Sequence, residues 1–493
     1  MDEHLGVSEK EIIEARKKKL EKMKEEGVNP YPSKSGRDYI AKDVHDQAKK
    51  LIESEKQITV GGRLTAMRGH GKLIFADVTD ESGKIQIAFK EDVLDKKDLG
   101  LVELLDIADF IEAKGTVFIT KMGETTVRAE QVKVLSKALR PLPEKWHGIQ
   151  DEELRYRKRY LDFALNPELR ELFVKKSKFW NTIRSFMLDK GFLEVETPVL
   201  ETTPGGADAN PFVSHHDALD IDVYLRISMG ELWQKRLMVG GFEKTFELGR
   251  QFRNEGISRE HLQDYTQMEF YWAYHNYEDS MILVEEMYKK IAKDVFGTYK
   301  FKINGHEVDL GKDWPRLDYC QVIKDKYDVD VLEASEEDLR KKLKSEKIEY
   351  EKHDKKGRLM DLLWKQVRRD ISGPTFVVNQ PVEVSPLAKR DTDKPRLTER
   401  YQVLIAGSEM GNGYSELNDP IDQDKRFQEQ TKMRESGDTE AQMHDREFVE
   451  ALEHGMPPVT GFGVSERLFA FLVDKPTREQ VMFPLLRPEK SRK

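Results

Sequence analysis

The chain has 493 residues, with 82 Lys and Arg against 91 Asp and Glu, for a formal net charge of −9. Hydrophobic residues make up 38%, including 23 Phe, 16 Tyr and 6 Trp; this excludes disorder over most of the length, which predicts about two to four domains. A single cysteine, Cys320, excludes a disulfide framework and a Cys-based zinc site, and the net acidity argues against a general nucleic-acid coat.

No apolar run approaches the ~18 residues of a membrane span. The N-terminal MDEHLGVSEKEIIEARKKKL has no apolar signal core. A soluble cytoplasmic protein with no membrane contact is therefore expected.

Residues 8–27 alternate acid and base, with Ile12, Ile13, Leu20 and Met23 at helical spacing, and predict a solvated helix closed by Gly27. The basic cluster Arg16, Lys17, Lys18 and Lys19 reads first as a soluble helix face and second as a stripe for a polyanion. From about 57 to 137 the texture changes to short β-branched strands punctuated by Gly61, Gly62, Gly69, Gly71, Gly83 and Gly123. Five strands with a helical LGLVELLD stretch before the fourth fit a small oligonucleotide-binding barrel. Phe75 falls in the second strand and Gln86 in the third; pattern alone leaves Phe75 open between barrel core and base stacking. The stretch ALRPLPEKWHGIQ reads as a linker.

Beyond it a larger domain is expected to open with a helix over 170–190. Strand-rich segments follow at 193–199, 221–227, 244–252 and 265–275, then a helix over 278–296. The charged stretch 335–370 reads as an inserted helical spacer with no chemistry assigned to it.

Four segments carry chemical information. In KTFELGRQFRNEGISREHLQDYTQMEFY a strand ends in Phe252-Arg253-Asn254-Glu255 and a return strand carries Tyr265 and Glu269. An Arg fork there suits phosphate or carboxylate, and a strand-end Glu can accept from an exocyclic amine. The bland reading of R-x-E is a surface ion pair. GFGVSERL suggests a strand entering a helix with Arg467 at its start. GFLEVETPVL ends a strand at Pro198 and suits a sheet edge. SEMGNGYSELND places Glu409, Asn412 and Glu416 in a turn-rich stretch able to hold Mg²⁺ or an ammonium, or simply to be a solvated acidic loop.

Together with KALRPLPEKWHGIQDEELRYRKRYLD, PGGADANPF, HHDALDIDVYLRI, PVEVSPLAKR and SELNDPIDQ, these segments make the chain resemble the class II aminoacyl-tRNA synthetases, and among them the lysyl-tRNA synthetase family. The resemblance implies an α+β protein: an N-terminal OB-fold β-barrel that binds the anticodon, then a catalytic domain with a six- to seven-stranded antiparallel sheet flanked by helices. The domains it implies are a helical extension (1–56), the barrel (57–140), a linker (141–155) and the catalytic domain (156–493) with its insertion near 335–370. The segment around Pro198 resembles the family's dimer motif, which implies a homodimer.

The implied reaction joins L-lysine and ATP to lysyl-adenylate and pyrophosphate, then transfers lysine to tRNA-Lys. The substrate's carboxylate is the nucleophile, so no Ser, Cys or His nucleophile is needed; catalysis is positioning and charge stabilisation. By resemblance, Arg253 and Arg467 are catalytic. Arg253, Glu255, His261, Tyr265, Glu409 and Arg467 hold ATP. Glu231, Arg253, Glu269, Tyr271, Asn412 and Glu416 hold lysine, with Glu231 near the α-amino group and Glu416 and Tyr271 at the side chain. Phe75 and Gln86 would stack on and hydrogen-bond the central anticodon base. Mg²⁺ is the implied metal, with Glu409 as one ligand.

The sequence departs from the family at several points. The second expected acidic ligand position is Gln402, which adds no charge and predicts weaker protein binding of at least one Mg²⁺. SMGELWQKRL is longer than usual before Glu231, HLQDYT replaces the usual HNPEFT, Asn210 stands where an Arg is usual, and GFGVSERL is short in its glycine spacing. Competing readings are an Asp or Asn enzyme, which Glu416 and Glu269 argue against, and a paralogue that modifies a protein lysine or only binds, which the barrel and both arginines argue against. Dinucleoside polyphosphate synthesis is compatible with the main reading.

Overall fold

The computed structural model describes residues 8–69, 72–143, 151–256, 258–352, 354–435 and 441–488, so much of the expected linker, at 144–150, lies outside the described residues. The chain divides into two compact units, 1–165 and 166–493.

In the first unit, α1 (Glu9–Glu25) starts from a capping box: Ser8 Oγ accepts from Glu11 N at 3.3 Å and Glu11 accepts from Ser8 N at 2.7 Å. The basic cluster does not form an open stripe. Arg16 is buried and donates to the carbonyls of Ile107, Ala138 and Arg140 at 3.0–3.2 Å, and Lys19 pairs with Asp106 at 2.8 Å. These two cations fasten α1 to the barrel.

Helices α2 (Ala41–Asp46) and α3 (Ala48–Glu53) lead into β1 (Ile58–Arg68), β2 (Leu73–Asp80) and β3 (Gly83–Lys90). Then come α4 (Lys96–Leu104), β4 (Phe110–Ile119) and β5 (Thr125–Ser136). The five strands close a barrel in the order β1-β2-β3-β5-β4. Strand alternation sends Ala76, Val78, Ile85, Ile87 and Phe89 to its core. Helices α5 (Glu152–Arg157) and α6 (Arg159–Leu165) complete the unit.

The second unit is built on an eight-stranded sheet rather than six or seven. Its strands in chain order are β6 (Leu193–Glu194), β7 (Lys244–Phe252), β8 (Asp264–Ala273), β9 (Arg316–Asp318), β10 (Thr375–Val378), β11 (Arg400–Ile405), β12 (Ser408–Ser415) and β13 (Val459–Ser465). They lie in the order β9-β10-β11-β12-β13-β8-β7-β6. The inner pairings are antiparallel, while the short edge strands β6 and β9 pair in parallel with β7 and β10.

The expected strand at 193–199 is only Leu193–Glu194; Leu200–Glu201, Val213–His216 and Ile221–Leu225 form a separate three-stranded sheet. SEMGNGYS is strand β12, not a turn-rich loop: two flanking strands satisfy its backbone.

Helices α7 (Pro167–Asp189), α8 (Glu231–Val239), α9 (Tyr277–Ile291), α10 (Tyr319–Tyr327), α11 (Glu336–Ser345), α12 (Lys356–Val367), α13 (Pro420–Glu435), α14 (Arg446–Glu453) and α15 (Arg467–Leu472) surround the sheet. The insertion is docked rather than a free spacer: Leu339, Leu343, Leu359, Leu363 and Trp364 share one buried cluster with Val377 of β10 and Leu404 of β11. Among the described residues no helix is long and apolar enough to cross a membrane.

Candidate active site

The second unit carries a cavity of about 660 Å³. It brings together Glu231, Arg253, Glu255, His261, Tyr265, Glu269, Tyr271, Gln402, Glu409, Asn412, Glu416 and Arg467, which span more than two hundred residues of sequence.

Period-two alternation explains how. On β8, Tyr265, Gln267, Glu269 and Tyr271 share one face, and Met268 and Phe270 are buried on the other. On β12, Asn412 and Tyr414 share a face that continues to Glu416. Between them runs β13, where Gly461 pairs with Tyr271 and Gly463 with Glu269. A Cβ at Gly461 would crowd the Glu416 carboxylate and lie 2.7 Å from the Tyr271 ring; one at Gly463 would lie 3.1 Å from Glu269 Cγ. The glycines of GFGVSERL therefore leave the floor of the cavity open.

At this end the charged groups are all buried. Glu231, the first residue of α8, accepts from Lys235 Nζ at 2.7 Å and from the Tyr414 hydroxyl at 2.5 Å. Lys235 also pairs with Glu416 at 2.5 Å. Glu269 accepts from Met229 N (3.1 Å), Gln267 Nε2 (2.6 Å) and the Tyr271 hydroxyl (3.1 Å). Burial pushes Glu269 up to about 7, and the neighbouring Glu231 carboxylate adds to the rise. Burial lifts Glu416 well above the ordinary carboxylate range, against the pull of Lys235. Burial opposes the charge on Lys235, but Glu231 and Glu416 overcome it and hold the ammonium above its usual value.

Just before Glu231, Gly230 has a φ of +67° and approaches Thr197 so closely that it leaves no room for a side chain. Asn210 is not among the residues lining the cavity; its backbone carbonyl accepts from Asn254 N at 2.7 Å. Asn412 Oδ1 accepts from Arg400 Nε at 2.8 Å.

The other end is set by β7, its hairpin and the start of α15. Arg253 donates from Nε to the Ile227 carbonyl at 3.2 Å and lies 5.8 Å from the Tyr265 ring. Glu255 sits two residues along, its backbone N–H donating to the Arg253 carbonyl at 2.9 Å. His261 shares a 2.7 Å hydrogen bond with Ser258 Oγ, and loss of hydration together with Arg467 lowers its pKa. Arg467 donates to the Glu409 carbonyl and approaches Glu260 at 3.9 Å.

The expected metal ligands do not fit a resident Mg²⁺. The Glu409 carboxylate accepts from Gln402 Nε2 and pairs with Arg368 at 3.2 Å, so its one charge is already matched. Gln402 Oε1 is buried with no hydrogen-bond partner, one neutral oxygen donor at most. Among the described residues no three or more His, Cys, Asp or Glu side chains group to hold a metal ion.

Sequence reasoning missed Tyr414, Gln267, Lys365 and Arg368 of this cavity, and Lys235, buried behind it and paired with Glu231 and Glu416. Lys235 lies one helical turn from Glu231, and Tyr414 and Gln267 lie two strand positions from Glu416 and Glu269; periodicity alone would have found these three.

In the barrel, Phe75 is absent from the core cluster. It pairs with Ala88, and Gln86 pairs with Asp77, so Phe75, Asp77 and Gln86 share the outer face of β2 and β3. Gln86 Oε1 accepts from Thr126 Oγ1 at 2.9 Å.

A cavity with an acidic end and an arginine-lined end, on an antiparallel sheet and joined in one chain to a five-stranded barrel, defines a class of enzyme. Residues 151–487 match the model of the class II tRNA synthetases (D, K and N), and residues 58–135 match that of the OB-fold nucleic acid binding domain. The chain belongs to the class II tRNA synthetase family and is an aminoacyl-tRNA synthetase of α+β fold. Among its relatives, the lysine–tRNA ligase of Thermotoga maritima is 45% identical over 98% of this chain and 97% of its own. The lysine–tRNA ligases of Carboxydothermus hydrogenoformans and Thermosipho africanus are 44% and 43% identical, each over 97% of this chain and over 98% and 96% of their own.

Proposed function

We propose that the chain is a lysine–tRNA ligase: it activates L-lysine with ATP and transfers the lysyl group to tRNA-Lys. One observation carries the choice of amino acid. Glu231, Glu269 and Glu416 are three buried carboxylates at one end of the cavity, and one buried ammonium, Lys235, pairs with two of them, Glu231 and Glu416. When all are ionised, two negative charges remain uncompensated, matching the two ammonium groups of lysine. Aspartate and asparagine carry only one. An uncompensated buried charge is costly, so a ligand lacking the second ammonium leaves that cost in place. The substrate carboxylate would face Arg253.

In the first step the lysine carboxylate oxygen bonds to the α-phosphorus as the bond from phosphorus to the pyrophosphate oxygen breaks; no proton moves. Arg253 and Arg467 hold the charge that develops on the phosphoryl oxygens. Tyr265 supplies a ring face for adenine, Glu255 an acceptor for its exocyclic amine, and His261 a hydrogen bond at the triphosphate. Asn412 assists Arg253 with the carboxylate.

The family uses ATP with Mg²⁺ in general; in this chain Mg²⁺ would arrive with the nucleotide oxygens rather than be held by Glu409 and Gln402. Phe75 would stack on an anticodon base while Gln86 hydrogen-bonds it. A homodimer is supported by exposed Leu188, Leu193, Val199, Leu200, Val213 and Leu219, apolar side chains concentrated around the Pro198 segment. A cytoplasmic setting fits the reaction. The test is pyrophosphate exchange with each of the twenty amino acids, then charging of a tRNA with a UUU anticodon. Lysine should give the dominant exchange; no exchange with lysine sinks the assignment.

A further inference from the structure

The insertion supplies chemistry to the cavity. Its helix α12 buries Leu359, Met360, Leu363, Trp364 and Val367, which leaves Arg358, Asp361, Lys365 and the following Arg368 on the cavity wall, three to four residues apart along one face. Lys365 pairs with Asp361 at 2.8 Å. Arg368 reaches across to β12 and pairs through Nη1 with Glu409 Oε1 at 3.2 Å. Glu409 also accepts from Gln402, and its backbone carbonyl accepts from Arg467. Arg368 is near enough to Arg467 to disfavour that residue's charge, and Lys365 acts likewise on His261.

At the triphosphate end, then, the carboxylate expected to hold a metal, Glu409, faces a guanidinium and an amide. We propose that Arg368 is a phosphate-binding residue: its guanidinium takes the β- and γ-phosphate oxygens of ATP and supplies charge that a protein-held Mg²⁺ would otherwise bring. This rests on the ATP site proposed above and adds a residue to it. A guanidinium presents five donors in a planar fork suited to phosphate, and a single Glu409 oxygen engages one of its nitrogens. The Glu409 pair holds the fork in place, and the neutral Gln402 adds no second negative charge to repel the phosphates.

The test is equilibrium binding of ATP and of AMP to the full chain by calorimetry, in Mg²⁺ and in EDTA, for native protein, Arg368→Gln and Arg368→Lys. Native protein should lose less than about tenfold in ATP affinity on moving to EDTA. Arg368→Gln should lose about tenfold or more in EDTA, the range for a charge-assisted hydrogen bond, with AMP binding unchanged. Arg368→Lys should recover part of the loss, and Mg²⁺ should narrow the gap between variants. Lysine binding, measured in parallel, confirms that each variant is folded.

ATP binding by Arg368→Gln in EDTA equal to native would overturn the proposal, since Arg368 would then only pin Glu409. Equal losses for AMP and ATP would also overturn it. Lysine-dependent pyrophosphate exchange by the native protein tests the ATP site itself: its absence removes that site and this inference together, whereas exchange with an indifferent Arg368→Gln removes the inference alone.

Discussion

The two ends of the cavity hold charge in opposite ways. At the amino-acid end the charges sit on inner strands and on α8, nearly all sealed from water and tied to one another, with carboxylates in excess. At the nucleotide end they sit on a hairpin, a helix start and the inserted α12, partly open to water, with cations in excess. The acidic end is rigid because each carboxylate already has protein donors, so its selectivity comes from what remains unmatched. The basic end holds its arginines through single carbonyls and carboxylates that a polyphosphate can outbid. Burial sharpens discrimination at one end, while exposure at the other suits a ligand that enters highly charged and leaves as pyrophosphate.

The largest effect should come from Glu416→Gln, which leaves Lys235 to match Glu231 alone and removes one of the two unmatched charges. Breaking a buried pair costs about 3–5 kcal/mol, so kcat/KM for lysine should fall by about a hundredfold or more with ATP affinity little changed. A loss of ATP affinity of the same size would mean that the two ends are not separate.

Next is pH. In the empty site Glu269 is pushed up to about 7, so a proton occupies it in part at neutrality. A bound ammonium favours the ionised carboxylate and expels that proton. Lysine affinity should therefore fall as pH drops below about 7, with a limit near tenfold per pH unit for one such group, and binding should release protons, read as a dependence of the calorimetric heat on buffer ionisation. Proton uptake instead would contradict this charge count.

Phe75→Ala should weaken tRNA charging by roughly tenfold, the scale of one lost stacking contact, and leave lysine-dependent exchange intact; equal loss in both assays would return Phe75 to a structural role. The smallest expected effect is Gln402→Glu, which adds a second carboxylate beside Glu409 and should lower the Mg²⁺ concentration for half-maximal exchange a few-fold. An unchanged requirement would show that residue 402 does not bear on the metal.

Much of this site was legible before any coordinates. Arg253, Glu269, Glu416, Tyr265 and Tyr271 were all named from the family resemblance of the strings they stand in, and the fold brings them to one cavity. What stayed hidden depends on which strands become neighbours. Lys235 lies on a helix whose sequence shows an ordinary acid–base pair, and only the packing of the second unit makes it the counter-ion of both Glu231 and Glu416. Arg368 lies in a stretch whose composition is that of a solvated helix, and nothing local announces that its far face meets β12. The parallel edge strand β9 was missed for a similar reason, and β6 was expected too long: two or three residues are too few for a period to register.

The bare main chain at Gly461 and Gly463 also bears on how this enzyme can change. Charges around the amino-acid end can be recoloured by single substitutions on β8, β12 or α8. The depth of the slot cannot be extended in that way, because its floor is already backbone, fixed by the ~4.8 Å spacing of neighbouring strands. Any replacement at Gly461 adds a methyl group against Glu416 and Tyr271, so mutation there can only shorten the reach. The slot has a hard stop: a substitution at Gly461 shortens it, and lengthening it requires moving a strand.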